Sequence, residues 1–564
     1  MQYIIPKCVK ISLMSKDREL LEEILKKRGF TDKKEIENFL NPNYDRDLHD
    51  PFLMHDMERA TVRLYEAVDA KEKIVIYADY DCDGIPGAVI LVDLLKKIGY
   101  TNYEVYIPQR NSEGYGLNMT AIKQFAESNV KLLITVDLGI SAVAEVAQAE
   151  VDGIDVIITD HHIPHEVLPR AYAILNPKVD DYPEKMLCGA GVAFKFAQAF
   201  IKKYGEFFKI KDGTEKWMLD MAGIATLSDM VPLTGENRAI AYFGLKVLRK
   251  SPRIGFTKLL SKMKIEQKYL SEDDIGFMVA PRLNAASRMD DPMRSFEILS
   301  TDSREQAEEL ADHLSKINDE RKSIVASIMK EVHKKFEKRE ESEVIVIGSP
   351  SWRVGVLGLV AGKMVDTYGK PVFVWGRDEN DLIKGSCRGD GLVSMVELMS
   401  QSSEYFIDFG GHEQAGGFTV HNDKIHFLEE SLSLSYGKVK KAVEEVEKKQ
   451  ADVMGGFDLV NMKNWKEIER LAPFGLGNPK PVFLFEGVKV ENIKKFGKNG
   501  SGEHLEIIFS DKLGKKAVAI SFFSTIDSFG DALTSSRDVS LLATFDLSRF
   551  RGREELRLRI VDIL

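Results

Sequence analysis

Cysteine is nearly missing from this chain. Four occur in 564 residues, Cys8, Cys82, Cys188 and Cys387, and no two form a CxxC pair. That scarcity argues against a disulfide framework or a structural zinc site and implies a reducing compartment. Long apolar runs are missing too, since none approaches the roughly 18 residues needed to cross a bilayer. The opening MQYIIPKCVKISLMSKDREL lacks the apolar core of a signal peptide, so a cytoplasmic protein is expected. Positive charge is in deficit, with a net −10. This excludes a bulk nucleic-acid coat protein but not a local basic groove, because the field at a site depends on nearby charges. A deep carboxylate cluster would itself contribute to that total. Histidine is also sparse, at 11 residues, yet two stand side by side in "IITDHHIP".

What is present is ordinary globular material, 44% apolar and 29% charged, long enough for roughly three or four domains. Residues 15–45 read as short helices closed by Asn-Pro-Asn at 41–43. From Lys73 to about Asp160, the runs KIVIYA, YEVYI, KLLITV and DVIIT alternate with helical spacing in DLLKKIG and MTAIKQFAES. Unbroken apolar strands between helices predict a parallel sheet covered on both faces. A helix is predicted from Glu215 to Ser228, ending at Asp229. Residues 302–340 form one long helix in which Ala307, Leu310, Ala311, Leu314, Ile317, Ile324, Val325 and Ile328 keep three-to-four spacing. A second α/β unit follows (EVIVIG, WRVGVLGLVAGKMVDTYG, PVFVW), then a charged helix GKVKKAVEEVEKKQ, then short β-type runs from Pro481 onward that predict a small barrel or sandwich.

Three of the predicted strands end in the same chemistry. KIVIYA runs into Asp79, Asp81 and Asp83, LLITV into Asp137, and DVIIT into Asp160, His161 and His162. In open α/β sheets the C-terminal edge is where ligands bind. If "DYDCDG" stays extended, alternation sends its three aspartates to one side. Taken singly, DxDxDG also fits a calcium loop or a turn, a strand-end aspartate also caps helices, and paired histidines also occur on surfaces. Together, so many like charges on one crevice call for divalent cations. Carboxylates with one or two imidazoles suit Mn²⁺ or Mg²⁺. Two such ions about 4 Å apart can activate water and hold both oxygens of an in-line phosphoryl displacement. One imidazole is then expected on metal and its neighbour on substrate.

With these strings in order, the sequence resembles the DHH phosphoesterases, and among them the RecJ type, single-strand-specific 5′→3′ exonucleases. "DYDCDG", "VDLGIS", "TDHH" and "LSDMVPLTGENR" match the metal-site motifs. "PQRNSEGYGL", "NPK", "CGAGVAFK" and "APRLNAASRM" match the signatures between them. "KGSCRG" and "FGGHEQAGGF" match the DHHA1 domain, and "LAPFGLGNPKPVF" with the β-rich tail matches the OB domain. The resemblance implies an N-terminal helical extension (1–50), a parallel-sheet DHH domain (51–301), a connecting helix (302–342), a smaller α/β DHHA1 domain (343–436), and a linker helix with an all-β OB-like domain (437–564). It implies one metal on Asp79, Asp81 and Asp137, and a second on Asp83, Asp137, His161 and Asp229. His162 would face the scissile phosphate, with Asp160 orienting an imidazole from behind. The implied activity is metal-dependent release of 5′-mononucleotides from single-stranded DNA in repair and recombination, with a helicase and a single-strand-binding protein as possible partners of a monomer.

A single-strand nuclease also needs phosphate ligands and stacking surfaces. Ser386 and Arg388 lie two apart in "GSCRG" and would point the same way in an extended segment; the resemblance implies that they help recognise the strand's 5′ end, with Arg110 as a helper. Arg282 and Arg288 either bind phosphates or brace an interdomain seam. His412, set among glycines, is expected on a phosphate near the cut. Lys494, Lys495, Phe496, Lys498, Phe522, Phe523 and the Arg-rich 549–559 supply cations with aromatics on the tail, although at least half of those phenylalanines are expected in the core. Four positions depart from the family pattern: Pro86 and Gly87 after "DCDG", Ser287 in "AASRM", and Arg353 after Trp352. None removes a metal ligand. Two other functions share the motifs: a short-oligonucleotide or cyclic-dinucleotide phosphodiesterase, and a single-strand-binding scaffold without turnover. Chain length and the β tail favour a polymer substrate, and the intact ligand set disfavours the scaffold.

Overall fold

The computed structural model describes residues 18–110, 112–179, 181–336, 339, 341–440, 451–497, 504–533, 537–549 and 553–564. Cys8, most of the charged stretch 437–450, Lys498, Phe550 and Arg551 lie outside them. The chain divides into two compact units, one of residues 48–231 and 235–444, the other of 1–47, 232–234 and 445–564.

The larger unit holds two sheets. The first contains β1 (Lys73–Ala78), β2 (Tyr103–Tyr106), β3 (Val130–Val136), β4 (Asp155–Thr159) and β5 (Ala173–Leu175), ordered β2-β1-β3-β4-β5 and parallel throughout. Its central strands are buried almost residue for residue, which is why they read as continuous rather than alternating apolar runs. β5 is too short to register as a run. Helices Gly84–Lys97, Met119–Glu127 and Val143–Val151 make the crossovers. The predicted 215–228 helix begins as a 3-10 turn, Thr214–Met218, before the α-helix Leu219–Ser228.

The long helix is observed as Arg304–Phe336, with Ala307, Leu310, Ala311, Leu314, Ile317, Val325 and Ile328 buried. It leads to the second sheet, built of β6 (Ile345–Gly348), β7 (Val372–Arg377), β8 (Ile383–Arg388), β9 (Phe406–His412) and β10 (Ala415–Val420), ordered β6-β7-β8-β10-β9. Only β6 and β7 pair in parallel. The glycine-rich "GGHEQAGG" is thus the tip of an antiparallel hairpin.

The smaller unit contains β11 (Val453–Met454), β12 (Phe483–Phe496), β13 (His504–Ser510), β14 (Lys516–Phe522), β15 (Val539–Ser548) and β16 (Glu555–Ile563). The order β11-β12-β13-β14-β16-β15 closes through pairing of β12 with β15, giving a five-stranded OB-type barrel with β11 appended. The N-terminal helices Arg18–Lys27 and Lys33–Leu40 belong here: Leu20, Leu21, Ile24 and Leu25 share a core with Phe483, Phe485 and Phe509. Phe496, Phe522 and Phe523 correct one expectation, since none is in the core. They gather around His504, with ring centroids 5.2, 5.4 and 4.9 Å from it, and the Arg559 guanidinium lies 5.6 Å from the Phe522 ring.

Helix Leu219–Ser228, which ends at Asp229, packs backbone to backbone on helix Gly235–Leu248. A Cβ on Gly244 would lie 2.6 Å from Gly223 Cα and 2.8 Å from the Leu219 carbonyl oxygen. Gly244→Ala must therefore part these helices, at a cost of about 1–3 kcal/mol. The expected readout is a lower urea midpoint with an unchanged slope; an unmoved midpoint would contradict the close crossing.

Candidate metal centre

Each acidic strand end is fixed by the strand beside it. Asp79 N donates to the Val136 carbonyl at 3.1 Å, Asp137 N to Thr159 at 2.9 Å, and Asp160 N to Leu175 at 3.0 Å. The ladder therefore continues one residue past each strand, and three carboxylates arrive at one edge in step. Asp137 leaves its strand with φ +63°, a left-handed turn that aspartate tolerates better than most residues. "DYDCDG" is not extended, contrary to the expectation from alternation. It forms a turn in which Asp81 Oδ1 accepts from Asp83 N at 2.8 Å and from Gly84 N at 3.3 Å, the usual local use of an aspartate side chain. The aspartates converge through that turn instead.

Asp83 accepts from Gly189 N at 2.6 Å and Ala190 N at 2.7 Å, the free donors opening helix Gly189–Tyr204, a favourable place for an anion. That helix can approach because residue 189 has no side chain: a Cβ there would lie 2.5 Å from Asp137 Cβ. Asp229 caps helix Leu219–Ser228. The ligand-type atoms form three groups, each within 4.8 Å: Asp79, Asp81 and Asp137; Asp83, His161 and Asp229; and Asp137, His161 and His162. His161 Nε2 lies 3.2 Å from Asp137 Oδ1, 3.7 Å from Asp83 Oδ2 and 3.8 Å from Asp229 Oδ2.

The two histidines differ in charge state because their partners differ. Burial, then the neighbouring His162, lowers His161 to about 3, so its imidazole is neutral. His162 is also desolvated, but its Nδ1 lies 2.8 Å from Asp160 Oδ1 and that bond raises it above the ordinary imidazole range. Asp160 also accepts from the backbone of Ile140, His161 and His162. Despite its burial, its bond to His162 brings it below the usual carboxylate range. Two neighbours escaped the sequence reading although their motifs are quoted above. In "SEGYGL", the Tyr115 hydroxyl lies 3.2 Å from both the Asp137 carbonyl oxygen and His162 Nδ1. In "NPK", Lys178 Nζ donates to the His161 carbonyl. Nothing in a lone tyrosine or lysine announces this placement.

Facing the carboxylates are a third histidine and a group of arginines. His412, at the end of β9, lies with its ring 5.9 Å from His162 and nearly parallel to it. The Arg110 guanidinium sits 4.9 Å from the Tyr80 ring centroid. On β8, Ser386 and Arg388 share a face, with Arg388 Nη1 3.3 Å from Ser386 Oγ. Burial, then repulsion from Arg110, Arg321 and Arg388, lowers Arg288 to about 9. Arg282 is turned back onto the π-helical turn Ile275–Val279 that precedes its helix, Nη1 donating to the Met278 carbonyl at 2.7 Å. Arg321, unremarked in the sequence, thus joins the basic group.

Comparison with known proteins places this site in a family. Residues 73–226 match the DHH family N-terminal domain, 341–451 the DHHA1 domain and 451–562 the RecJ OB domain. The single-stranded-DNA-specific exonuclease RecJ of Haemophilus influenzae is 30% identical over 565 residues, covering 96% of this chain and 95% of that protein. The chain belongs to the RecJ family. The Bacillus subtilis RecJ is 35% identical over 484 residues, 85% of this chain, and this chain spans 60% of that longer protein. The crystal structure of RecJ from Thermus thermophilus in complex with Mn²⁺ superposes with a TM-score of 0.80 at 25% identity, covering 99% of this chain and 78% of that one.

The RecJ-type cluster fits hard divalent ions on its own chemistry. Asp79 Oδ1 and Asp137 Oδ1 are buried and accept no hydrogen bond from any described residue. Burial first, and the neighbouring carboxylates next, push Asp79 and Asp137 well above the usual range, Asp229 to about 9 and Asp83 to about 6. The nearby thiols of Cys82 and Cys188 are raised by burial and stay protonated, leaving oxygen and imidazole as donors, a set suited to Mn²⁺ or Mg²⁺. Of the departures, Pro86 sits in the first turn of helix Gly84–Lys97, where no amide hydrogen bond is lost. Gly87 packs so closely that a Cβ would lie 2.5 Å from Val136 Cγ1. Ser287 is buried and donates to the Asn284 carbonyl.

These shifts fix the sign of a pH effect. Carboxylates raised in the folded, metal-free protein contribute stability that is present below the unfolded value of 3.8 and is lost as pH rises through about 6 for Asp83 and about 9 for Asp229. An ion displaces those protons and removes the penalty. The rise in Tm on adding Mn²⁺ should therefore grow between about pH 5 and about pH 9. Equal rises at both ends would mean that the carboxylates are already ionised without the ion.

Proposed function

We propose that this chain is a metal-dependent 5′→3′ exonuclease that hydrolyses single-stranded DNA to 5′-mononucleotides. The observation that carries this reading is the carboxylate–imidazole cluster around Asp137 set opposite a group of arginines within one unit. Asp79, Asp81 and Asp137 would hold one divalent ion, and Asp83, Asp137, His161 and Asp229 the other, as Mn²⁺ or Mg²⁺. When bound, such ions supply an activated water and neutralise charge building on the phosphoryl oxygens.

The chain's own residues do the rest. Asp160 fixes the His162 ring and keeps it cationic, so His162 can donate a hydrogen bond or proton to an oxygen of the scissile phosphate. His412, on the opposite hairpin, serves the same phosphate. Ser386 and Arg388, with Arg110 and Arg288, receive the phosphate at the strand's first nucleotide, for which the planar guanidinium is suited. Arg282, bound to a carbonyl of the turn before its helix, fits the bracing role better than the phosphate role. The aromatic group at His504 with Arg559 suits stacking along a strand. DNA repair and recombination, a cytoplasmic location, a monomeric state, and supply of strands by a helicase and a single-strand-binding protein complete the reading, with family membership as their support. Among the described residues, no helix is long and apolar enough to cross a membrane.

The test uses end-labelled single strands and dinucleotides with Mn²⁺, with and without EDTA, beside Asp137→Ala. Mononucleotides should be released from the long strand. EDTA or the substitution should lower that rate by about a thousandfold or more, since several kcal/mol of charge stabilisation disappear with the ions. Cleavage of dinucleotides alone, or binding without turnover, would replace this reading with one of its rivals.

A further inference from the structure

The seam between the two sheets of the larger unit is closed by a reciprocal contact. Arg288, near the end of helix Ala280–Met289, donates from Nη1 to the Gly355 carbonyl at 3.2 Å. In the opposite direction, Arg353 donates from Nη2 to the Met289 carbonyl. Charge-assisted bonds of this kind are stronger than those between neutral groups. The approach is as close as backbone allows, for a Cβ on Gly355 would lie 2.3 Å from the Arg288 carbonyl oxygen. Next to Arg353, Trp352 Nε1 donates to Glu331 on the long helix at 2.9 Å, so the segment is anchored on a second side. The chain then turns directly into helix Leu357–Tyr368. There a Cβ on Gly358 would lie 3.0 Å from Ser386 Oγ and 3.2 Å from Arg388 Nη2. Residues 353–358 thus run from the end of one half, at Met289, to the end-binding pair of the other.

We propose that Arg353 is a positioning residue whose clasp on Met289, reciprocated by Arg288 on Gly355, sets the spacing of Arg288 from Ser386 and Arg388 and so determines how strongly the enzyme favours a strand bearing a 5′-phosphate. The inference rests on the function proposed above. Its physical basis is pre-organisation. The clustered guanidiniums repel one another when no anion lies between them, and burial lowers Arg388 as well as Arg288. Something must hold the two halves together before the phosphate arrives, and the clasp does so without touching the strand. If it is released, the incoming phosphate must do that work itself, and binding weakens while the chemical step is untouched.

Kinetics on matched strands with a 5′-phosphate or a 5′-hydroxyl test this. Arg353→Ala should raise KM for the phosphorylated strand about three- to tenfold, as expected for one lost hydrogen bond. It should leave kcat and Mn²⁺ affinity by calorimetry unchanged, and reduce the preference for phosphate by the same factor. Arg353→Lys, which can still reach the carbonyl, should restore much of that preference. Gly355→Ala, which forces the same seam apart, should reproduce the loss. An unchanged preference in Arg353→Ala, or a fall in kcat on both strands alike, would overturn the clasp while leaving the nuclease reading intact. If the wild type degrades neither strand, the nuclease reading fails. Calorimetric titration with inorganic phosphate then decides the clasp separately: weaker binding in Arg353→Ala supports it, and equal binding overturns it.

Discussion

Repulsion among carboxylates gathered in a buried space is the constraint that organises the larger unit. Asp79, Asp83 and Asp137 are at most 4% exposed, and Asp81 and Asp229 complete the group. Charges so placed cannot all be ionised without compensation. The fold makes the arrangement possible by fixing backbone rather than side chains. One hydrogen bond past each strand end sets the edge, a helix N-terminus takes both oxygens of Asp83, and Gly189 lets that helix come within contact of Asp137. One oxygen each of Asp79 and Asp137 is left without a donor among the described residues. That residual deficit is what an ion completes.

The opposite wall shows the same logic with the sign reversed. Arg110, Arg321 and Arg388 stand close enough to Arg288 to lower it, a geometry that favours an anion as the aspartates favour a cation. A chain with a net charge of −10 can therefore present a basic wall where a phosphate belongs. A strand laid between these walls would meet cations on one side and metal-bridged carboxylates on the other.

Much of this was legible in the sequence because it is local. Unbroken apolar runs gave the parallel strands, and the acidic residues after them gave the edge. Less legible was whatever depends on partners distant along the chain. The helical periodicity of residues 18–40 shows an apolar face but not what covers it, and the cover is a barrel more than 400 residues away. The phenylalanines of the tail look like core by type, yet Phe523 is 85% exposed, because it lies one residue past the end of β14, where the backbone turns with φ +56°. Alternation also misled at "DYDCDG", where side-chain acceptance by Asp81 competes with the extended backbone. Tyr115 and Lys178 enter the site through a hydroxyl and an ammonium at the ends of long side chains, and no periodicity reports on those.

The adjacent histidines illustrate how environment outweighs composition. His161 and His162 are the same residue type, one peptide apart, with rings 4.6 Å from each other, yet their affinities for a proton are driven in opposite directions. The difference comes from Asp160. Its carboxylate binds the His162 ring directly, whereas it meets His161 only through the backbone amide. A single acceptor placed one residue before the pair therefore sets the two rings apart: the His162 ring gains its carboxylate as a partner and the His161 ring does not. Were Asp160 itself a ligand, its charge would be drawn to the ion and the second ring would lose its cation. Its place behind the histidines, 1% exposed and held by several donors, fits a partner that orients an imidazole rather than a ligand itself.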